Sequence, residues 1–323
     1  SPAPAPAGQP GAPRVPPKLE AVTPFAHVEA VGNGPVALSL VSDWGLDWTM
    51  WQPFMDRHKS DYTMFAVTLP GFGGSEPPPL PVGAQAGDAL WLHNGARAIL
   101  DLVRDRKLEK PVVIGQFLGG YVALLAALRS PDTFRSVVTI DAPPALPLGP
   151  MGSASLPPEF RRNAVETQFR RNLEQVPEEA LLEQHRKVVT SWTTDERKAS
   201  KFGDMVVRVP RTVRVTYLSE VMAVDISAEM TSLTTPVLFV APTPPEETPP
   251  VVTRAGVRSF WRGFVKDAAR QRLVFFEGSR RLLIDDDADF FDNMLKDYLE
   301  NKPLNDKPPA TSVPGRAPAT SGK

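Results

Sequence analysis

Chemistry in a protein begins with side chains that can release a proton or an electron pair, and this sequence is sparing with them. It has no cysteine, which excludes disulfides, a thiol nucleophile and thiolate metal sites. Its four histidines, His27, His58, His93 and His185, are widely scattered and in no metal-ligand spacing, so no metal is expected, and no cofactor either. The position that most invites chemistry lies within Gly115-Gln116-Phe117-Leu118-Gly119. A buried apolar run precedes it and a small-residue helical pattern follows. A tight strand-to-helix turn of this kind thrusts one side chain out of the backbone, and its neighbours must be small because backbone crowds there; Gly115, Gly119 and Gly120 meet that need. A hydroxyl or thiol at the apex would be a nucleophile once a base took its proton. The apex is Phe117, and a phenyl ring has no lone pair to attack with and no proton to give up.

The elements around this turn alternate in type. Short apolar runs predict strands at 36–41 (VALSLV), 64–69 (MFAVTL), 111–115 (PVVIG), 136–141 (SVVTID), 236–241 (PVLFVA) and 272–276 (RLVFF). Helical apolar spacing marks 88–106, through Leu92, Ala96, Ile99, Leu100 and Val103, as well as 119–128 and 289–299. Strands alternating with helices predict an α/β fold: a mostly parallel central sheet of about eight strands with helices on both faces. Between 143 and 215 the pattern turns polar and helical (EFRRNAVETQFRRNLEQV, then PEEALLEQHRKVVTSW), which predicts an inserted helical cap. Core segments at 19–142 and 216–300 flank it. The Pro/Ala-rich ends, 1–18 and 301–323, carry too few apolar residues to offset the entropy of ordering and are expected to be disordered tails. No internal repeat is present.

Three local signals coincide on these elements. Gly115 to Gly119 has the place and spacing of a G-x-S-x-G nucleophile elbow. Leu69-Pro70-Gly71-Phe72-Gly73-Gly74-Ser75 is similar to an LPGFGxS loop, and Ser42-Asp43-Trp44-Gly45 follows the first core strand, where His-Gly-x-Gly is usual. No other G-x-S-x-G exists; Met151-Gly152-Ser153-Ala154-Ser155 does not follow a buried strand. Over roughly 31–299 the chain resembles the α/β-hydrolase superfamily.

The resemblance implies a triad in the chain order nucleophile, acid, histidine, and this sequence departs from it at the nucleophile and histidine positions. Phe117 holds the nucleophile position. Arg281, in Phe276-Glu277-Gly278-Ser279-Arg280-Arg281-Leu282-Leu283, holds the histidine position, and a guanidinium stays protonated at any usable pH, so it cannot be a general base. Arg280 would give the same result. The acid position falls near Pro245, Glu246 and Glu247. The oxyanion hole would use the backbone N–H groups of Leu118 and Trp44, with Ser42, Asp43, Trp44, Gln116 and Leu118 around the pocket, and an Asp43 carboxylate there would repel an oxyanion unless it pointed away. Arg281 is expected either to receive an anionic ligand or to pair with Asp141, Asp43 or Glu277. Asp141 reads as a cap for the segment after its strand, although some members take their acid there, and Asp225 reads as a helix cap.

The leading expectation is therefore an α/β-hydrolase-fold pseudoenzyme that binds a small apolar or anionic ligand or a protein partner. One alternative is an active hydrolase with relocated groups, using Ser42, Ser279 or a cap residue with His93 or His185 as base. Another is a structural subunit of a larger complex. The net charge of −1, with both signs mixed, offers no footprint for nucleic acid, and no run is long and apolar enough to span a membrane. The proline-rich segment 76–81 reads as an ordinary loop of such a fold. The SPAPAPAG start resembles the mature end of an exported bacterial protein, which predicts a periplasmic or extracellular location.

Overall fold

Seven strands form one sheet in a computed structural model that describes residues 15–148, 156–243, 253–267 and 269–309. They are β1 (His27–Val31), β2 (Val36–Val41), β3 (Tyr62–Thr68), β4 (Val112–Gln116), β5 (Ser136–Ile140), β6 (Val237–Pro242) and β7 (Gln271–Phe276), in the order β1-β3-β2-β4-β5-β6-β7. Only β1, on β3, is antiparallel. The expected count of about eight is corrected to seven among the described residues. Six of these match the apolar runs. The seventh, β1, is the half-exposed HVEAV, with too few apolar residues to stand out. The central strands β4 and β5 are buried along their whole length, as a sheet covered on both faces requires.

The helices follow from the crossovers. β2 leads through α1 (Gln52–His58) to β3 on one side; β3 leads through α2 (Leu90–Asp105) back past β2 to β4 on the other. Right-handed crossovers in opposite directions place α1 and α2 on opposite faces. α3 (Leu118–Arg129) packs beside α2 and across β4 and β5. Phe54 of α1 meets Phe291, and Phe276 of β7 meets Phe291, at 6.0 and 6.4 Å between rings.

Between β5 and β6 the described chain is helical: α4 (Pro158–Ala164), a π-helical turn (Val165–Arg170), α5 (Arg171–Gln175), α6 (Glu178–Thr190), α7 (Glu196–Arg208) and α8 (Arg211–Ala223). The helices run past 215 because TVRVTYLSEVMA buries nearly all its length. α8 is anchored to the core by polar contacts. Buried Glu220 accepts the N–H groups of Trp91 (3.1 and 3.0 Å) and Leu92 (3.0 Å) at the start of α2, and Tyr217 Oη donates to Pro70 O at 2.9 Å. After β6 the described residues add α9 (Arg254–Arg262), α10 (Leu283–Asp286) and α11 (Ala288–Leu299). No described helix is long and apolar enough to cross a membrane.

Part of the expected C-terminal tail joins the fold. Lys307 pairs with the outer edge of β7, donating its N–H to Phe275 O (2.8 Å) and accepting from Glu277 N (3.1 Å). Asp306 accepts from Phe275 N at 2.9 Å and meets Arg258 at 2.8 Å. Backbone pairing and ion pairs hold this strap, so its poverty in apolar residues is no obstacle.

Candidate functional site

The turn between β4 and α3 is as tight as the glycines imply. A Cβ on Gly115 would lie 2.2 Å from Gly119 O, and one on Gly119 would lie 2.3 Å from Val41 O. Between them Phe117 takes φ 40° and ψ −103°, a conformation that L residues avoid. Its N–H donates to Ile140 O at 2.7 Å, which holds the turn against β5. Leu118 opens α3, so its N–H is one of the first-turn donors for which the helix supplies no acceptor.

The Phe117 ring is 6% exposed because another side chain covers it. The Arg281 guanidinium carbon lies 4.1 Å from the Phe117 ring centre and 4.5 Å from that of Trp192, so the cation is stacked between the elbow and the end of α6. Two carboxylates flank it. Arg281 Nε donates to Asp141 Oδ2 at 2.6 Å, and Arg281 Nη1 lies 3.9 Å from Asp43 Oδ2. Arg281 thus pairs with Asp141 and Asp43, while Glu277 pairs with Arg258. Asp141 does not cap the segment after β5: it sits at φ 53° and gives its carboxylate to Arg281. Asp225 accepts from Ser227 N at 3.0 Å and caps no helix; the next helical turn is preceded by Ala228.

Asp43 is fully buried and accepts from Trp44 N at 2.5 Å and from Gln116 Nε2 at 3.2 Å. Burial pushes its carboxyl up to about 6, against the pull of Arg281, the Trp44 N–H and Gln116, with Asp141 adding to the rise. Burial is thus the chief cause of the rise, and the buried member of the cluster takes up its proton as pH falls through about 6. The Trp44 N–H, expected as an oxyanion donor, is occupied by this carboxylate. The Trp44 indole N–H reaches Arg214 O at 3.1 Å, and its ring packs edge-on to His185 at 4.8 Å.

The hydroxyls and histidines of the relocated-group reading are engaged elsewhere. Ser42 Oγ donates to Val67 O at 2.9 Å and Ser279 Oγ to Asp287 at 2.5 Å. His185 Nδ1 lies 2.7 Å from Arg214 Nη1, and burial, then Arg214 and Arg211, lowers this imidazole to about 4. Among the described residues no histidine bonds a hydroxyl; His27 pairs with Glu29, and His58 with Asp61 and Asp292. His93 lies on α2, bordering a different cavity. No group of residues suited to a metal occurs among the described residues. Pro245, Glu246, Glu247 and the 151–155 segment lie outside them.

Sequence reasoning missed Trp192. It ends the run KVVTSW, and nothing local shows that it meets Arg281; a backbone bond from Leu282 N to Trp192 O (2.8 Å) brings the two segments together.

A family model described as alpha/beta hydrolase fold matches residues 40–197. Over 117 residues the chain is 32% identical to a pimeloyl-[acyl-carrier protein] methyl ester esterase from Proteus mirabilis (strain HI4320). That stretch is 36% of this chain and 40% of that protein, so the match spans less than half of the relative. Among solved structures, a hydrolase from Oleispira antarctica superposes with a TM-score of 0.65 at 14% identity, covering 89% of this chain and 99% of that one. MenH from S. aureus gives 0.65 at 11% (86% and 99% covered), and the enol-lactonase from Burkholderia xenovorans LB400 gives 0.61 at 19% (85% and 96%).

Proposed function

Since the chain has the α/β-hydrolase fold, we propose that it is a non-hydrolytic protein of that fold, acting by binding a ligand or a protein partner rather than by turning over an ester. The observation that carries this reading is the Arg281 guanidinium stacked on Phe117 at the apex of the elbow. Neither side chain can attack a carbonyl or take up a proton at usable pH. The Trp44 N–H adds to the case, since a developing oxyanion there would meet the Asp43 carboxylate already bonded to it. What the similar esterase and lactonase do to their substrates therefore does not carry over to this chain's elbow.

The relocated-group alternative has no hydroxyl–histidine pair to support it among the described residues. The structural-subunit reading would need a broad apolar patch; among the described residues the exposed large apolar side chains, Val15, Leu80, Val82, Phe160 and Val188, lie in four separate segments of the chain.

The test is hydrolysis of short- and medium-chain activated esters by the intact protein, beside Phe117→Ala and Arg281→Ala and a serine esterase of the same fold as positive control. Rates at the level of an inactive protein are expected for all three. A saturable rate that either substitution changes would overturn the proposal.

A further inference from the structure

Away from the elbow, a cavity of about 380 Å³ opens where the helical insertion meets the outer ends of α2 and α3. That volume is within the range of small-molecule sites, about 300–1,000 Å³. Its floor is aliphatic: Ala89, Leu125, Leu128, Val224 and Ile226, buried or half-buried. Its walls carry Arg129 at the C-terminal end of α3, Arg162 on α4, and His93 on α2.

Among the described residues the two arginines are left without carboxylate partners. Neither Arg129 nor Arg162 joins an ion pair among the described residues; the one side-chain hydrogen bond of Arg162 among them runs from Nε to Pro158 O in its own helix at 3.3 Å, which leaves its outer nitrogens unspent. The Arg162 stem lies against Gly87, where a Cβ would come within 2.4 Å of both Cγ and Cδ, so the absence of a side chain at 87 lets Arg162 lie across this wall. Of the two acids at the cavity, Asp225 faces Arg161 at 3.9 Å and accepts from Ser227 N, and Glu229 is exposed. The balance of unpaired charge is positive. Burial, and behind it the Arg129 charge, holds His93 below its usual pKa, so at neutral pH its imidazole serves as a hydrogen-bonding group and the arginines carry the charge.

From this juxtaposition we propose that the cavity is a binding site for an amphiphilic anion, a carboxylate on a short or medium aliphatic chain. Its head would sit between Arg129 and Arg162, beside His93, and its chain would lie on Leu125, Leu128 and Ile226. A guanidinium matches a carboxylate in a forked pair, and the floor rewards the methylenes with burial. The inference stands apart from the state of the elbow, and hydrolysis need not occur for it to hold.

The experiment is calorimetric titration of the full chain at pH 7 with sodium octanoate, with octan-1-ol and inorganic phosphate as separate arms. One saturable octanoate site is expected, with octanol and phosphate each at least about tenfold weaker. The double variant Arg129→Gln/Arg162→Gln should bind octanoate at least about tenfold more weakly, with its melting temperature unchanged because both side chains are exposed. Leu128→Glu should weaken it similarly. Octanoate affinity unchanged in the double variant would overturn the proposal. So would phosphate binding as tightly as octanoate, or no saturation below about 10 mM, roughly what ordinary ligand efficiency gives a molecule of this size.

Discussion

The guanidinium of Arg281 lies 4.1 Å over the ring of Phe117. The two positions at which a hydrolase of this fold would hold its nucleophile and its base are therefore in contact with each other, and Trp192 closes the stack from the other side. Cation–ring contacts of this kind contribute about 0.5–2 kcal/mol each. The centre is packed as a piece of core, and its perturbation should read out first as stability.

Phe117 combines two opposing terms. Its ring is buried, so truncation to Ala should cost about 3–5 kcal/mol. Its backbone sits at φ 40°, which a glycine tolerates and an alanine does not. Phe117→Gly should therefore be more stable to urea than Phe117→Ala, by about 1 kcal/mol. A clearly less stable glycine variant would mean that the turn stores no strain.

Asp43 gives the protein a pH dependence of defined sign. A carboxyl raised from 3.8 to about 6 binds its proton more tightly folded than unfolded. Its favourable contribution is full below about pH 4 and is lost as pH rises to about 6, a difference of roughly 3 kcal/mol before relaxation. Asp43→Asn removes this titration. Melting curves of the two proteins from pH 4.5 to 7.5 should diverge in favour of the variant as pH rises; parallel curves would show that Asp43 is ionised throughout.

Arg281 is a main force holding the Asp43 carboxyl down. Arg281→Met keeps an apolar side chain between Phe117 and Trp192 but removes the charge. The Asp43 transition should then move above pH 6, seen as a later divergence in the same comparison made with Arg281→Met against Arg281→Met/Asp43→Asn. No movement would place the control of Asp43 in Gln116 and the Trp44 N–H alone.

His185 acts in the opposite direction. Its imidazole is lowered to about 4 by burial, Arg214 and Arg211, so the unfolded chain takes up the proton first. Its contribution is present above about pH 6.5 and is lost as pH falls toward 4. His185→Gln should flatten that acid limb while leaving the curve above pH 7 unchanged in slope. An acid limb identical to the parent's would assign acid sensitivity to other groups.

Ending the chain at Asn301 should remove the strap at Asp306 and Lys307 and bare the outer edge of β7. The unfolding free energy should fall by about 1–2 kcal/mol, and the open edge should favour self-association in sedimentation runs. A monomer of parental stability would make the strap ornamental.

What could be read in advance follows from how each feature is encoded. Six strands were visible because their burial is written as contiguous apolar runs, whereas the half-exposed HVEAV of β1 has no such run. The turn at Phe117 was visible because crowding demands glycines at fixed offsets. The pairing of Arg281 with Asp141, 140 residues earlier, was one option among several, and the capping role favoured for Asp141 did not appear. Trp192 was hidden because a stacking partner leaves no local mark. The strap at 306–307 was hidden because main-chain bonds are independent of composition.

The bend at 117 has a meaning beyond this protein's own activity. Its unusual dihedral angles persist with no hydroxyl to present, so the strain belongs to the passage from β4 into α3 and is not a device reserved for chemistry. The apex is then a rigid socket whose direction is set by the scaffold and whose contents are free to vary. A designer seeking a fixed point on which to mount a photo-crosslinker, a metal chelator or an unnatural base would find here a mount already aimed, with Arg281 and Trp192 as the two walls to be recut.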